Sequence, residues 1–267
     1  NIIRGILRRN LINAEKNHNM IKEIFQHRSI RKYKSDAIPQ SVLNEVLQAA
    51  TKASNTGNMQ LYSIVVSTTD EVKEKLSPAH FNQPMIKGAP VVLTFCADVS
   101  RVTKWCAQRN ADAGFYNVQT IVGAIIDASL AAQNACLEAE AHGLGICYLG
   151  TTTYNAQQII DVLHLPKGVV PVTTVTIGYP AEEQPLTSRL PLSAVVHSET
   201  YHDYSETDID AIYSEMENNP DNQKFITENN KQNLAQVFSE VRYSRSNNEF
   251  FSKEFLAALQ KQGIEIK

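Results

Sequence analysis

Residues 118–141 run VQTIVGAIIDASLAAQNACLEAEA, a stretch without proline and with small or apolar side chains on nearly every face. A surface helix normally keeps one polar face, so a helix apolar on most sides must be covered on most sides. The stretch therefore predicts either a central core helix or a helix at an interface between subunits. His142-Gly143 ends it, with Gly143 placed as the left-handed residue that stops a helix. No run reaches the roughly 18 consecutive apolar residues of a membrane-spanning helix, which leads to the expectation of a soluble chain.

The cover for such a helix has to come from the rest of the chain. Four short β-branched stretches read as strands: 61–67 (LYSIVVS), 90–96 (PVVLTFC), 146–149 and 169–177. Apolar residues at Val42, Leu43, Val46, Leu47, Ala49 and Ala50 follow helical spacing, with Pro39 suited to open the first turn. Shorter helices are predicted over 20–26, 70–76 and 157–163. Residues 99–115, which hold Trp105, read as a polar loop. Beyond about residue 200 the composition shifts to Asn, Asp, Glu, Ser and Tyr and predicts two or three peripheral helices, the last over 253–262. Helices and strands mix with no regular βαβ period, so the class is α+β rather than doubly wound. The expected organisation is an N-terminal extension or artificial leader over 1–19, a core over 20–200, and a helical extension of the same domain over 201–267.

Charge and cysteine usage exclude several classes. Twenty-five basic against twenty-eight acidic residues give a net charge of -3 and a pI near 6.2, with no global pull toward nucleic acid. Cys96, Cys106, Cys136 and Cys147 form no CxxC pair and no metal-ligand spacing, which fits a reduced, cytoplasmic protein without a metal site. Residues 1–19 lack a continuous apolar core and a small-residue cleavage site, so no secretory leader is expected there.

Three polar clusters could carry chemistry. His27-Arg28-Ser29-Ile30-Arg31 places two guanidiniums and a hydroxyl within four residues, a strong anion site or a solvated turn. Ser54 to Gln60 packs amides and hydroxyls around Gly57, suited to a polyol chain or a plain connection. Gly143 to Gly150 (GLGICYLG) follows a helix and enters a strand, the reverse of a dinucleotide-binding fingerprint, which it therefore is not. The isolated His80, His142, His164 and His197 read as structural or surface residues, and Asp98 as a cap.

In order along the chain, HRSIRKY at 27–33, Ile38-Pro39, Ala49-Ala50 and SNTGNMQ at 54–60 resemble the opening of the nitroreductase family. GLGICYLG, LPKGVVPV at 165–172, IGYPAEEQPLTSRLP at 177–191 and Val196-His197 resemble its NADPH-dependent nitro- and flavin-reductase subgroup. The resemblance implies an antiparallel or mixed sheet flanked by helices, and an FMN-dependent oxidoreductase. Such an enzyme takes hydride from NADPH or NADH and reduces nitroaromatics, quinones or free flavin by ping-pong turnover. A flavin-storage protein and a reductive dehalogenase are the alternatives on the same scaffold. The chemistry resides on the flavin N5, so no side chain is expected to be catalytic. By the resemblance, His27, Arg28, Ser29 and Arg31 serve the FMN phosphate, ribityl chain and ring edge, and Asn55, Thr56 and Gly57 serve ribityl and phosphate. Gln83 reads the polar ring edge, Tyr148, Leu149, Gly150 and Thr151 lie against the ring, and Arg189 binds phosphate. Two positions depart from the pattern: Thr187 stands where a phosphate-binding lysine is usual, and Thr151 where a second glycine is common. A homodimer with FMN at the subunit interface is implied as well.

Overall fold

The computed structural model describes residues 20–266. The strands β1 (Tyr62–Ser67), β2 (Val91–Asp98), β3 (Gly145–Leu149) and β4 (Val169–Gly178) form one sheet in the order β1-β2-β4-β3. Each neighbouring pair is antiparallel. The central strand β2 is buried along its whole length, as expected where both faces of a sheet are covered. Its register against β4 shifts between Phe95 and Cys96, where Pro171 stands opposite. A proline has no N–H for the ladder, and a bulge is the usual way for a central strand to accommodate one.

The strands arise where β-branched and aromatic residues cluster, and the helices α1 (Lys22–Gln26), α2 (Gln40–Thr51), α3 (Asp70–Leu76), α4 (Pro84–Gly88), α5 (Ser100–Gln108), α6 (Val118–Ala141) and α7 (Ala156–Leu163) cover them. On one face α6 and α2 pack on the sheet, bringing Leu43, Val46 and Ala50 against Leu93, Phe95 and the alanines Ala128, Ala131, Ala132 and Ala135. Alanine on that face of α6 lets the helix approach the sheet closely. On the other face Leu76, Met85, Ile86 and Ile159 pack on Val92, Cys147 and Leu149. The α+β class, the four strands and the long central helix all stand as expected.

The helix α6 is not covered all round. Val118, Val122, Ile126 and Leu130, spaced by four, are 44%, 46%, 52% and 43% exposed and line up as one open apolar stripe. Among the described residues α6 alone is long and apolar enough to cross a membrane by length and composition. Its buried side packs on the sheet and carries the wholly buried carboxylate of Asp127, the placement of a core helix.

Two expectations for local structure need correction. Residues 99–115 are not a continuous loop, since α5 occupies Ser100–Gln108. The Asp98 side chain turns at the end of β2 and accepts from Ser100 N (2.9 Å) and Arg101 N (3.1 Å), starting the helix. The C-terminal part holds α8 (Glu206–Asn218), α9 (Pro220–Glu228), α10 (Leu234–Gln236), a π-helical turn over Val237–Arg242 and α11 (Arg245–Lys261). The last helix thus begins two turns earlier than predicted, with the Ser244 hydroxyl capping Asn247 N. Leu259 in its last turn and Ile264 just after it join the core beside Ile121 and Val170.

Candidate functional site

The run that begins at His27 is an extended strap along the β3 edge of the sheet. Ser29 bridges Ile146 in parallel, and Ile30 N donates to Ile146 O at 2.9 Å. Lys34 N then donates to Tyr179 O (2.8 Å) and Ala181 N to Lys32 O (2.9 Å), so the strap also pairs with the chain leaving β4. Ile30 reaches so close to β3 that a Cβ on Gly145 would lie 2.7 Å from its side chain, which only glycine avoids. Tyr33 fastens the inner face: its buried hydroxyl donates to Ile30 O at 2.6 Å and lies 2.7 Å from Thr176 Oγ1. Burial pushes that phenol well above its ordinary value. Glu182 fastens the outer face, accepting from the backbone N–H groups of Arg31 (2.9 Å) and Lys32 (3.2 Å). Those bonds, Arg31's first, hold the Glu182 carboxyl below its usual range.

With its backbone held, the strap presents its side chains in alternation. Arg28 is half-buried, and its Nε has no partner although it is closed off from solvent. His27 Nδ1 lies 2.6 Å from Glu140 Oε1 near the end of α6. Burial raises the Glu140 pKa, while the His27 bond and charge and the Arg28 backbone act to lower it. Glu140 lines two cavities: one of about 210 Å³ holding Arg28, and one of about 510 Å³ holding His27, Tyr148, Thr187 and Arg189. In the larger one Tyr148 donates to Gln133 Oε1 at 3.4 Å. The desolvated hydroxyl of Tyr148 is pushed up in pKa and stays a donor. The thiol of Cys136, also on this wall, is pushed up to about 12 by burial, so it supplies no thiolate nucleophile.

Beyond β3 the chain turns through residues 150–155 and docks on a second turn at 78–83. Thr151 Oγ1 lies 2.9 Å from His80 Nδ1 and 3.5 Å from Gln83 Nε2, and Asn155 Nδ2 donates to Ala79 O at 2.8 Å. Gln83 and Thr151 are therefore neighbours in space, just past the end of the strand that carries Tyr148 and Leu149.

The third cluster lies elsewhere. Asp127, on the buried side of α6, accepts from Thr56 N (2.8 Å), Thr56 Oγ1 (3.0 Å) and Leu61 N (3.1 Å). Asn55 Oδ1 caps the same loop by accepting from Gln60 N at 3.3 Å. This fixes Asn55, Thr56 and Gly57 beside Asp127, whereas His27 is fixed beside Glu140, thirteen residues further along α6. At 1.5 Å rise per residue the two anchor points are about 20 Å apart. His27, Tyr148 and Arg189 thus line one cavity and Arg28 a second that shares Glu140, with Ser29 and Arg31 on the same strap. Leu149 packs in the core, Gln83 meets Thr151 just beyond Gly150, and Asn55, Thr56 and Gly57 lie apart beside Asp127.

Sequence reasoning missed the residues that hold these groups in place: Glu140, Asp127, Glu182 and the inward role of His80. Asp127 carried a usable signal, an acid alone in an otherwise apolar stretch of helix, where burial demands hydrogen-bonded partners.

Comparison with known proteins gives concordant matches. Residues 24–179 match the model of the Nitroreductase family. The chain is 31% identical over 256 residues to an FMN reductase [NAD(P)H] of Bacillus subtilis (strain 168), covering 93% of this chain and 98% of that one. A crystal structure from Bacteroides fragilis NCTC 9343 superposes with a TM-score of 0.89 at 52% identity, covering 91% of this chain and 99% of that chain. The NADPH:FMN oxidoreductase of Vibrio harveyi, solved with NAD+, superposes with a TM-score of 0.76 at 26% identity, covering 90% and 96%.

Proposed function

The chain belongs to the nitroreductase family, and from that membership we propose that it binds FMN and passes hydride from NADPH or NADH to a small electron-poor acceptor. A nitroaromatic, a quinone or free flavin is the expected acceptor class. The observation that carries the reading is the held strap: a half-buried arginine whose closed-off Nε lacks a partner, beside a cavity shared by His27, Tyr148 and Arg189. An unpaired buried donor is costly, and an anionic ligand with several acceptor atoms would satisfy it.

The residues present fit FMN. Arg28, Arg31 and Arg189 would offset the phosphate, with bidentate donors that a lysine lacks. Thr187 contributes no charge two positions before Arg189, so the three arginines carry that task. Ser29 and His27 would bond the polyol and ring edge, Gln83 and Thr151 the polar edge of the ring, and the backbone from Tyr148 to Gly150 its face. When bound, FMN supplies hydride acceptance and donation at N5, and the protein binds and orients it. Donor and acceptor would use the open side of the same cavity in turn. Backbone N–H groups and Arg28 stand ready to stabilise negative charge that builds on the ring.

A homodimer belongs to the same proposal. The open stripe of Val118, Val122, Ile126 and Leu130 supports it, and so does the distance that separates Asn55, Thr56 and Gly57 from the arginines. A second copy packed on α6 would bring its own Asn55–Gly57 loop to the flavin held by the first. The organisation into a flavin core over 20–200 and a helical extension over 201–267 is supported by Leu259 and Ile264 packing back on that core. The four free thiols support a reducing, cytoplasmic location.

The test is an absorption spectrum of the purified protein followed by anaerobic addition of NADPH and of NADH. A flavin spectrum that bleaches is the expected result and names the preferred donor. A flavin that stays oxidised would make the protein a carrier, and no flavin after incubation with FMN would defeat the proposal.

A further inference from the structure

The turn that carries Gln83 is built around a histidine with no solvent exposure. His80 is 0% exposed, its Nδ1 lies 2.9 Å from Thr151 Oγ1, and its Nε2 is buried without a partner. Burial holds the imidazole down to about 4, so near neutral pH the ring is uncharged and carries one proton. That proton has two possible seats. On Nε2 it would be a buried N–H with no acceptor, one of the rarest conditions in folded proteins. On Nδ1 it is donated to Thr151 Oγ1, and only a bare lone pair is left unpaired. The second arrangement costs less, so His80 is the donor and Thr151 the acceptor.

The consequence falls on Thr151. A hydroxyl has one hydrogen and two lone pairs. His80 engages one lone pair, and Gln83 Nε2 approaches the same oxygen at 3.5 Å. The Thr151 hydrogen is therefore left to donate away from both, and the Gln83 carboxamide is steered by the same oxygen. Between His80 and Gln83, Phe81 and Asn82 both adopt left-handed backbone, with φ of 54°. Two such residues in succession, neither of them glycine, store strain that the surrounding bonds must hold. Asn155 Nδ2 on Ala79 O (2.8 Å) and Asn82 N on Ser77 O (2.8 Å) are among those bonds.

We propose that His80 is a positioning residue that fixes Thr151 as a one-way hydrogen-bond donor, with Gln83 beside it, toward acceptor atoms at the edge of the bound ring system. The proposal rests on the flavin reading above and assigns that edge to this chain's His80-Thr151-Gln83 array. None of the three residues lines the cavities that hold Arg28 and Arg189, so their contribution is separable from that of the arginines.

The experiment titrates FMN into apoprotein by fluorescence quenching, with melting temperature without FMN as a check of folding. The variants are Thr151→Val, Thr151→Ser, His80→Leu, His80→Asn and the double variant His80→Leu/Thr151→Val. Thr151→Val is expected to weaken FMN binding about tenfold, the worth of one hydrogen bond, and to shift the flavin midpoint potential, while Thr151→Ser stays close to wild type. His80→Leu should weaken binding in the wild-type background and add little to Thr151→Val. His80→Asn, whose amide can donate as Nδ1 does, should restore most of it. Unchanged FMN binding in Thr151→Val overturns the proposal, even if the His80 variants fail to fold. Equal losses from His80→Leu in both backgrounds overturn it too, by making His80 a packing residue. A wild-type protein that takes up no FMN overturns the functional reading itself, a distinct result.

Discussion

Single residues set two measurable properties of this protein. In the unfolded chain a histidine takes up its proton near the usual pH of about 6.5, whereas burial holds His80 down to about 4 in the fold. Between those values the unfolded state binds more protons, so stability rises with pH and is lost as pH falls from 6.5 toward 4. The gap is worth roughly 3 kcal/mol. Urea unfolding at pH 7.5 and pH 4.5 should show wild type losing more stability than His80→Asn across that interval, by about that amount. Equal losses would place the pH dependence elsewhere. Asp127 supplies the second case. Asp127→Asn replaces two anionic oxygens that accept three hydrogen bonds, two of them from backbone N–H groups. The expected cost is roughly 2–4 kcal/mol in the same assay. Neither partnership was legible from residue type. His80 meets Thr151 across 71 positions, His27 meets Glu140 across 113 and Leu61 meets Asp127 across 66. No local pattern encodes such distances.

At the scale of elements, legibility followed how locally each boundary is written. The helix α2 and the strands announce themselves through apolar spacing and β-branched runs, and α6 ends where the left-handed Gly143 stops it, φ 73°. The helix α5 was missed although Asp98 reads as a cap, because only Ser100 and Val102 of its nine residues are buried and no apolar stripe marks the segment that follows. The strap at 27–34 has no secondary-structure signature of its own, because its hydrogen bonds go to Ile146, Tyr179 and Glu182 rather than to itself. Its dependence on close approach is testable. Gly145→Ala forces a methyl group against Ile30, with an expected cost of roughly 1–3 kcal/mol. FMN affinity should fall with it, since displacing Ile30 moves Arg28 and Arg31. Normal stability and normal FMN binding in that variant would show that the strap tolerates a shift.

For the whole molecule the open stripe of α6 is the decisive surface. Ile126→Glu places a charge in the middle of it, where burial in a dimer would strand that charge. The proposed homodimer predicts that light scattering reports a dimer for wild type and a monomer for this variant, with FMN bound at least about tenfold more weakly without the second copy's Asn55–Gly57 loop. A variant that stays dimeric would move the interface off α6. What the sequence alone determined is what can be written locally: the α+β class, the four strands, the long central helix, and the runs HRSIR, SNTG and CYLGT that carry the polar groups. Hydrophobic periodicity and turn chemistry act within a few residues, so they survive in a one-dimensional reading. Only the tertiary structure decided which of those runs share a cavity, that Glu140 and Asp127 hold them at positions about 20 Å apart on one helix, and that this helix keeps one apolar face open. Those outcomes depend on contacts between residues far apart in the chain, where burial forces each polar group to find whichever partner the packing brings near.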